Sequence, residues 1–236
     1  MSNWKDVWER KGNVEKNEYE LKDLIAIDGY DGAGFISESS WVAMVETIEK
    51  KLALAKDEAI CEIGCGAGAS FYPLYRKGFR HLSGIDYSSS LVAIAKRVMP
   101  EGDFRIAEAC KVPFASNQFD AVISTGIFHY FKSLDYAESA VREIVRILKP
   151  GMRAAVLDIN DLKTKAECEA ARRGKLGPEE YDRLYRDYPH LFYEREWFES
   201  IAEKLGVKCE IADQSIPGYV NAKFRFNFFL RKPQEH

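Results

Sequence analysis

The sequence predicts an α/β fold with a mostly parallel sheet, and two observations support it. Short apolar runs alternate with helical patterns from about residue 58 to residue 160. One of these runs leads directly into glycines at every second position, as at the start of a nucleotide-binding unit. Strands that alternate with helices pair in parallel because each helix returns the chain to the same edge of the sheet. The 236 residues are enough for one such domain and too few for two separate large cores.

Five predicted strands lie within the alternating region, and two more follow it. The predicted strands span residues 59–63, 81–86, 103–107, 119–124, 153–159, 207–212 and 223–231. In the last of them, Phe224, Phe226 and Phe228 alternate with Arg225 and Asn227, which is the period of a strand.

Three helices are predicted between or after these strands. Residues 136–148 have apolar side chains at three- and four-residue spacing around charged positions. Pro150 and Gly151 end this helix, because proline disfavours helical geometry in the residue before it and glycine accepts a positive φ. A second helix is predicted over 88–98, after a choice of serine caps, and a third over 194–205.

Two aromatic and charged regions do not fit the alternation. We predict that they belong to a single domain spanning 1–236, with residues 1–40 as an N-terminal helical lid and 160–193 as a helical insertion over the active site. Tyr30 and Phe35, which flank Gly32 and Gly34, are the predicted substrate-lid residues. Aromatic side chains suit a lid because they exclude water and stack on flat ligands, although core packing is the alternative for any one of them.

Composition limits the classes of partner. The formal charge is −3, from 34 basic and 37 acidic side chains, which supplies no positive field for nucleic acid. We find no apolar run long enough for a membrane span and no secretory signal, so we expect a cytoplasmic protein with no membrane partner. The five cysteines form no CxxC pair, and no metal is implied. Nothing in the sequence indicates the oligomeric state.

The most informative segment is residues 60–68, where an apolar strand runs into Gly64, Gly66 and Gly68. Glycines suit this position because the backbone turns sharply and approaches a ligand too closely for a Cβ atom. Asp86 stands at the end of the second predicted strand, 22 residues after Gly64. A carboxylate there can accept hydrogen bonds from the ribose hydroxyls of a bound nucleoside.

Two cofactors can use this framework. Gly64, Gly66 and Ala69 also fit the G-x-G-x-x-A fingerprint of dinucleotide-binding proteins. An NAD-dependent oxidoreductase is therefore one alternative at this point, and a non-catalytic nucleoside-binding protein of the same fold is another.

The glycine segment resembles class I S-adenosylmethionine-dependent methyltransferases, in particular the small-molecule type 11/25 group. Their first motif is similar to E-x-G-x-G-x-G, which Glu62, Gly64, Gly66 and Gly68 match. The resemblance extends over about residues 58–160. Further similar blocks are residues 107–114 (AEACKVPF), with Glu for the usual Asp, residues 119–123 (FDAVI) and residues 148–151 (LKPG).

This resemblance implies a doubly wound, seven-stranded, mostly parallel sheet with helices on both faces. Its implied strand order is 3-2-1-4-5-7-6, with strand 7 antiparallel, and its implied cofactor is S-adenosylmethionine. The implied cofactor-binding residues are Glu62, Gly64, Cys65, Gly66, Gly68, Asp86, Tyr87, Ser88, Glu108, Ala109, Ser124 and Thr125.

Methyl transfer from a sulfonium depends mainly on alignment and water exclusion, so a catalytic dyad is not required. His129, which follows the fourth strand, is the candidate general base, and a structural histidine is an equally good interpretation. Residues 124–127 (STGI) lack the [DNS]-P-P-[YF] motif of enzymes that methylate amino groups of bases. We therefore expect a small-molecule acceptor and no nucleic-acid partner, with O-, N- and C-methylation all open.

Overall fold

One sheet of seven strands organises the computed structural model, which describes residues 4–31 and 35–234. The strands are β1 (Ile60–Ile63), β2 (Leu82–Asp86), β3 (Asp103–Ile106), β4 (Phe119–Thr125), β5 (Leu148–Asn160), β6 (Lys208–Asp213) and β7 (Arg225–Arg231). Their order is β3-β2-β1-β4-β5-β7-β6. Strands β1 to β5 pair in parallel, whereas β7 pairs antiparallel with both β5 and β6. The predicted fold class and strand order are confirmed.

Nine α-helices lie within the described residues. They are α1 (Trp4–Gly12), α2 (Leu21–Ile25), α3 (Glu38–Lys51), α4 (Phe71–Arg76), α5 (Ser89–Val98), α6 (Leu134–Ile147), α7 (Lys165–Leu176), α8 (Pro178–Tyr185) and α9 (Arg195–Leu205). Ser88 caps α5 by accepting a hydrogen bond from the Leu91 amide, and Ser133 caps α6 in the same way through Tyr136. Side-chain caps of this kind satisfy amides that have no partner inside the helix.

Helices cover both faces of the sheet because side chains of a strand alternate between the faces. Ile60 packs into a core with α3 and α5, whereas Cys61 and Ile63 pack into the core against α6 and α9. Both cores consist of buried apolar side chains. Because both faces of the sheet are covered, the loops that carry polar side chains meet at the carboxyl ends of the parallel strands.

Strand β7 differs from its prediction in two respects. It begins at Arg225, since Ala222–Phe224 forms a 3-10 turn. Arg225 and Asn227 were expected to alternate with the buried phenylalanines, yet both are buried. The reason is that β7 is an interior strand, where Arg225 Nε lies 3.5 Å from Asp158 Oδ1 and Asn227 accepts a hydrogen bond from the Asp158 amide.

The two flanking regions supply the remaining helices. The N-terminal region contains α1, α2, the start of α3 and a π-helical turn, Ala26–Tyr30, in which Gly29 has a φ of +93°. The 160–193 region contains α7 and α8. Gly32 and Gly34 lie outside the described residues. Among the helices described, none has the length and apolar character needed to cross a bilayer.

Candidate cofactor and acceptor site

A cavity of about 600 Å³ opens at the carboxyl ends of β1, β2 and β4. Ligands of open α/β sheets bind at this edge, beside the point where the strand order reverses. Here the reversal falls between β1 and β4. The lining of the cavity comes from the glycine loop (residues 64–69), the ends of β2 and β4, helix α1 and residues 187–191.

The glycine loop turns sharply where β1 ends. Gly64 and Gly66 have φ angles of +79° and +52°, and the amides of Gly64 and Cys65 both donate to the Ile85 carbonyl. A Cβ atom on Gly66 would collide with the Asp28 carboxylate. Gly64, Cys65 and Gly66 line the cavity.

Asp86 lies beside the glycine loop, as the sequence predicted. Its two carboxylate oxygens accept hydrogen bonds from the amides of Gly66 (3.1 Å) and Ser88 (2.9 Å). The side chain is buried and lines the cavity. Burial raises its pKa to about 6, although the backbone amides act in the opposite direction.

Glu62 extends the acidic character of this end of the cavity. Its Oε2 atom and the Thr125 hydroxyl are buried and make no hydrogen bond of good geometry among the described residues, although the Ser70 and Thr125 side chains lie close enough to act toward a lower pKa of Glu62. Burial, together with the charges of Asp28 and Asp86, raises the pKa of Glu62 to about 8. Buried polar atoms without partners are costly, so an acceptor and a hydroxyl left in this state at a cavity wall indicate a ligand-binding surface.

The other predicted cofactor-binding residues divide into two groups. Tyr87, Glu108, Ala109 and Thr125 line the cavity, and Glu108 accepts a hydrogen bond from the Tyr136 hydroxyl (2.6 Å). Three predicted residues lie outside the lining.

Each of those three has a structural environment that explains its position. Gly68 packs against Met99, and a Cβ atom added at Gly68 would collide with the Met99 side chain. Ser88 caps α5 and donates a hydrogen bond to Glu9 (2.7 Å). Ser124 is buried and stands next to Thr125 on β4, so the two side chains point to opposite faces of the sheet.

Asp28, which the sequence interpretation missed, binds the glycine loop directly. Its Oδ1 accepts from the Ala67 amide (2.7 Å) and its Oδ2 from the Ala69 amide (3.1 Å). The carboxylate lines the cavity, and burial raises its pKa to about 7. No sequence signal identified it, because Asp28 precedes Gly29 in what looks like an ordinary turn.

Five rings form a second part of the lining, here called the aromatic wall: Trp4, Trp8, Tyr130, Tyr188 and His190. Ring centroids of Trp4 lie 4.7 Å from Tyr130, 5.9 Å from Tyr188 and 5.2 Å from His190. Trp8 lies 5.2 Å from Tyr130. The wall therefore joins α1 to the segments after β4 and α8.

The two predicted lid residues have different positions. Tyr30 lines the cavity and contacts the ring of Trp41, with centroids 4.7 Å apart. Phe35 is 51% exposed and is absent from the lining, so the structure gives it no contact with the site.

His129, the candidate general base, is also outside the lining of the cavity. Its ring is buried behind two members of the aromatic wall, with centroids 4.1 Å from Tyr130 and 4.7 Å from His190. Burial, with the positive groups around it, lowers the pKa of His129 well below its usual value. The ring therefore lies behind the aromatic wall and not at the cavity surface.

His190 is the histidine that reaches the cavity, and its tautomer follows from its partner. Nδ1 lies 3.0 Å from an Arg172 guanidinium nitrogen, which can only donate. Nδ1 is therefore the acceptor, and in the neutral ring Nε2 carries the proton. His190 can donate a hydrogen bond from Nε2, but it is not arranged as a general base.

A family model described as a methyltransferase domain matches residues 61–156. This segment runs from β1 through β5 and includes the glycine loop, Asp86 and the end of β4. The chain contains a class I methyltransferase domain. S-adenosylmethionine is the methyl donor of such domains, and the match supports this cofactor over NAD.

Relatives of this methyltransferase domain act on different classes of acceptor. It is 32% identical over 126 residues to the tRNA (carboxymethyluridine(34)-5-O)-methyltransferase ALKBH8 of Macaca fascicularis, covering 52% of this chain and 18% of that protein. It is 30% identical over 104 residues to demethylmenaquinone methyltransferase of Renibacterium salmoninarum, covering 44% and 42%. The matched segments span less than half the length of both relatives. The expectation of no nucleic-acid partner is therefore not supported by these relatives.

The similarity of fold extends over the whole chain. A methyltransferase chain from the complex with the Haloferax volcanii Trm112 methyltransferase activator superimposes with a TM-score of 0.70, covers 100% of both chains and is 14% identical. At this identity the likeness establishes the fold alone. The strand order of the sheet is accordingly that of the class I methyltransferase fold.

The residues present fit S-adenosylmethionine on observations of this structure. The glycine loop lines the cavity through Gly64, Cys65 and Gly66, and Asp86 presents a carboxylate at the same wall. Glu62 and Thr125 supply buried polar atoms that make no hydrogen bond of good geometry among the described residues. The cavity volume of about 600 Å³ lies in the range of small-molecule and cofactor sites.

Proposed function

We propose that the protein transfers a methyl group from S-adenosylmethionine to a small, flat acceptor bound against the aromatic wall. One observation carries this proposal: the glycine loop, Asp86 and the aromatic wall line the same cavity. Both reactants therefore have adjoining surfaces within one cavity. The acceptor atom, whether oxygen, nitrogen or carbon, stays open.

In this proposal the two ends of the cavity have separate tasks. The glycine loop, Asp86 and Glu62 hold the cofactor, with Asp86 accepting from the ribose hydroxyls. Tyr87, Glu108 and Ala109 flank the adenosine side. When bound, the cofactor supplies an electrophilic methyl group on a positively charged sulfur that is also the leaving group.

The protein's contribution is alignment and exclusion of water. The aromatic wall holds a planar acceptor through stacking and edge contacts, and ring surfaces displace water from the reacting atoms. Neither His129 nor His190 is arranged to remove a proton, so the mechanism favours acceptors whose reacting atom is already nucleophilic near neutral pH.

Methylation of a tRNA base is the second candidate, because ALKBH8 from Macaca fascicularis is among the relatives. The formal charge of −3 argues against it, since binding to a polyanion depends on neutralising phosphates with lysine and arginine. A small acceptor also suits a cavity closed on one side by α1 and residues 187–191. We therefore place the tRNA reaction second.

Ligand binding tests the cofactor assignment first. Calorimetric titration with S-adenosylmethionine, S-adenosylhomocysteine and NADH is expected to give binding of the first two only. A cofactor at about 100 times its Kd stabilises the fold by roughly 2.7 kcal/mol, which a thermal melt detects. Binding of NADH alone would contradict the proposal.

Turnover tests the acceptor. Purified protein is incubated with methyl-labelled cofactor and either a panel of small planar acceptors or unmodified bulk tRNA. We expect label transfer to a member of the small-molecule panel and none to tRNA. Label in tRNA alone would favour the second candidate, and cofactor binding without any transfer would favour a non-catalytic nucleoside-binding protein.

A further inference from the structure

The Asp28 carboxylate belongs to the cofactor end of the cavity although it comes from the N-terminal region. It accepts hydrogen bonds from the amides of Ala67 (2.7 Å) and Ala69 (3.1 Å), which end the glycine loop. It also fills the space above Gly66 and lines the cavity. The Trp41 ring nitrogen donates to the Ala69 carbonyl (2.9 Å), so α3 fixes the same part of the loop.

Three carboxylates surround the glycine loop, here called the carboxylate end: Glu62 and Asp86, which are buried, and Asp28, which is half-buried. Asp28 and Asp86 bind consecutive parts of the loop, and Glu62 precedes it by two residues. None of the three forms an ion pair with any residue in the described ranges 4–31 and 35–234. Carboxylates that line a cavity without ion pairs form a surface whose ionised state a cationic ligand would stabilise.

The methyl donor and its product differ in charge at the atom that reacts. S-adenosylmethionine carries a sulfonium, an ammonium and a carboxylate. S-adenosylhomocysteine keeps the ammonium and the carboxylate but has a neutral thioether. An ionised carboxylate near the reacting sulfur would therefore attract the donor more strongly than the product.

We propose that Asp28 is a cofactor-selecting residue: held on the Ala67 and Ala69 amides, its carboxylate favours the positively charged methyl donor over the neutral product. This inference rests on the proposed function, because it assigns Asp28 to the same cofactor. It gives the N-terminal region a direct part in the reaction cycle. Loss of the sulfonium charge on methyl transfer weakens the attraction and so promotes product release.

Asp28→Asn removes the charge with little change of shape, and Asp31→Asn is its matched control. Asp31 lies three residues further along the same segment, with an exposed side chain 3.4 Å from the Lys11 ammonium. Kd values are measured calorimetrically for S-adenosylmethionine, S-adenosylhomocysteine and methylthioadenosine, which lacks both the sulfonium and the amino acid. Thermal melts without ligand check that each variant is folded.

The inference predicts unequal losses. In Asp28→Asn the Kd is expected to rise about tenfold for the donor and about threefold for the product, with methylthioadenosine unchanged. Asp31→Asn is expected to change each Kd by less than about twofold, since exposed charges are screened. If the asparagine variant does not fold, Asp28→Ser removes the same charge without placing an amide nitrogen against the loop amides. The rise in Kd for the donor is then compared with the rise for the product in that variant.

Two outcomes would overturn the inference alone. Equal factors for donor and product would mean that Asp28 does not sense the sulfonium. Tighter binding of both would mean that its carboxylate competes with the carboxylate of the cofactor for the Ala67 and Ala69 amides. Wild-type protein that binds none of the three compounds would instead overturn the proposed function, and the inference with it.

Discussion

The two ends of the cavity differ in how far apart their residues lie in the chain. At the carboxylate end, Glu62, the glycine loop and Asp86 come from one strand-helix-strand unit. The aromatic wall brings Trp4 of α1 together with Tyr130 after β4 and His190 after α8. The first end is built by local sequence, and the second is built by contacts between distant segments.

This difference explains why the cofactor could be assigned from the sequence and the acceptor could not. A glycine loop needs a fixed spacing after a strand, so its signal is short and local. An aromatic wall needs only that several rings meet in space, and aromatic residues are equally common in cores. Asp28 lies at the carboxylate end of the cavity, but it comes from the N-terminal region, far from the glycine loop in the chain. No local motif therefore identified it.

The largest effect is expected from Gly66→Val at the local end. The residue has a φ of +52°, and its Cβ atom would collide with the Asp28 carboxylate. We expect binding of S-adenosylmethionine to fall by more than about 100-fold while the fold survives, measured by calorimetry and thermal melts. Gly174→Val is the control, because a Cβ there would contact nothing within 4 Å. Undiminished affinity in Gly66→Val would place the cofactor elsewhere.

Asp86→Ala is expected to have the next largest effect on the cofactor. Ribose hydroxyls without their acceptor cost about 2 kcal/mol, which corresponds to roughly a 30-fold rise in the Kd of S-adenosylmethionine. His129→Gln, outside the cavity lining, is expected to change that Kd by less than about threefold. Similar effects of the two substitutions in a direct binding assay would argue against the ribose contact.

Trp4→Ala tests the distant end separately. It removes a ring that contacts Tyr130, Tyr188 and His190, so we expect kcat/KM for the acceptor to fall about tenfold. The Kd for S-adenosylmethionine is expected to stay within about twofold. Trp197→Ala, which lies outside the cavity lining, controls for loss of a tryptophan. A loss of cofactor affinity equal to the loss in kcat/KM would mean that the two ends are not separate.

The smallest expected effect is a pH dependence of stability in the ligand-free protein. The pKa values of Glu62 and Asp28 are raised to about 8 and about 7, above those of an unfolded chain. The folded state therefore holds protons that the unfolded state has released. The free energy of unfolding falls as pH rises from the unfolded pKa values, about 4, to the folded ones. His129 and His190 act in the opposite sense, because their pKa values are lowered, but mainly below about pH 7.

We therefore expect the melting temperature to decrease by a few degrees between pH 7 and pH 8.5, since one proton corresponds to about 1 kcal/mol per pH unit. Glu62→Gln is the matched variant and is expected to reduce this slope. A melting temperature that is constant or rises over the same interval would show that these carboxyls are already ionised in the folded protein.

The sequence by itself determined the alternation of strands and helices and the placement of the glycine loop near Asp86, while the strand order came from the resemblance to class I methyltransferases. Strand and helix periodicity, glycine spacing and serine caps are properties of neighbouring residues, so they can be read along the chain. Even where the strand itself was predicted, as in β7, the burial of Arg225 was not, because it depends on Asp158 of the neighbouring strand.

Only the tertiary structure decided which side chains face the cavity. It placed Asp28 on the loop amides, moved the cavity histidine from His129 to His190, and left Phe35 exposed while Tyr30 lines the site. Each of these outcomes depends on where segments far apart in the chain come together. Sequence spacing fixes which face of its own element a side chain occupies, but not what the rest of the fold brings against that face.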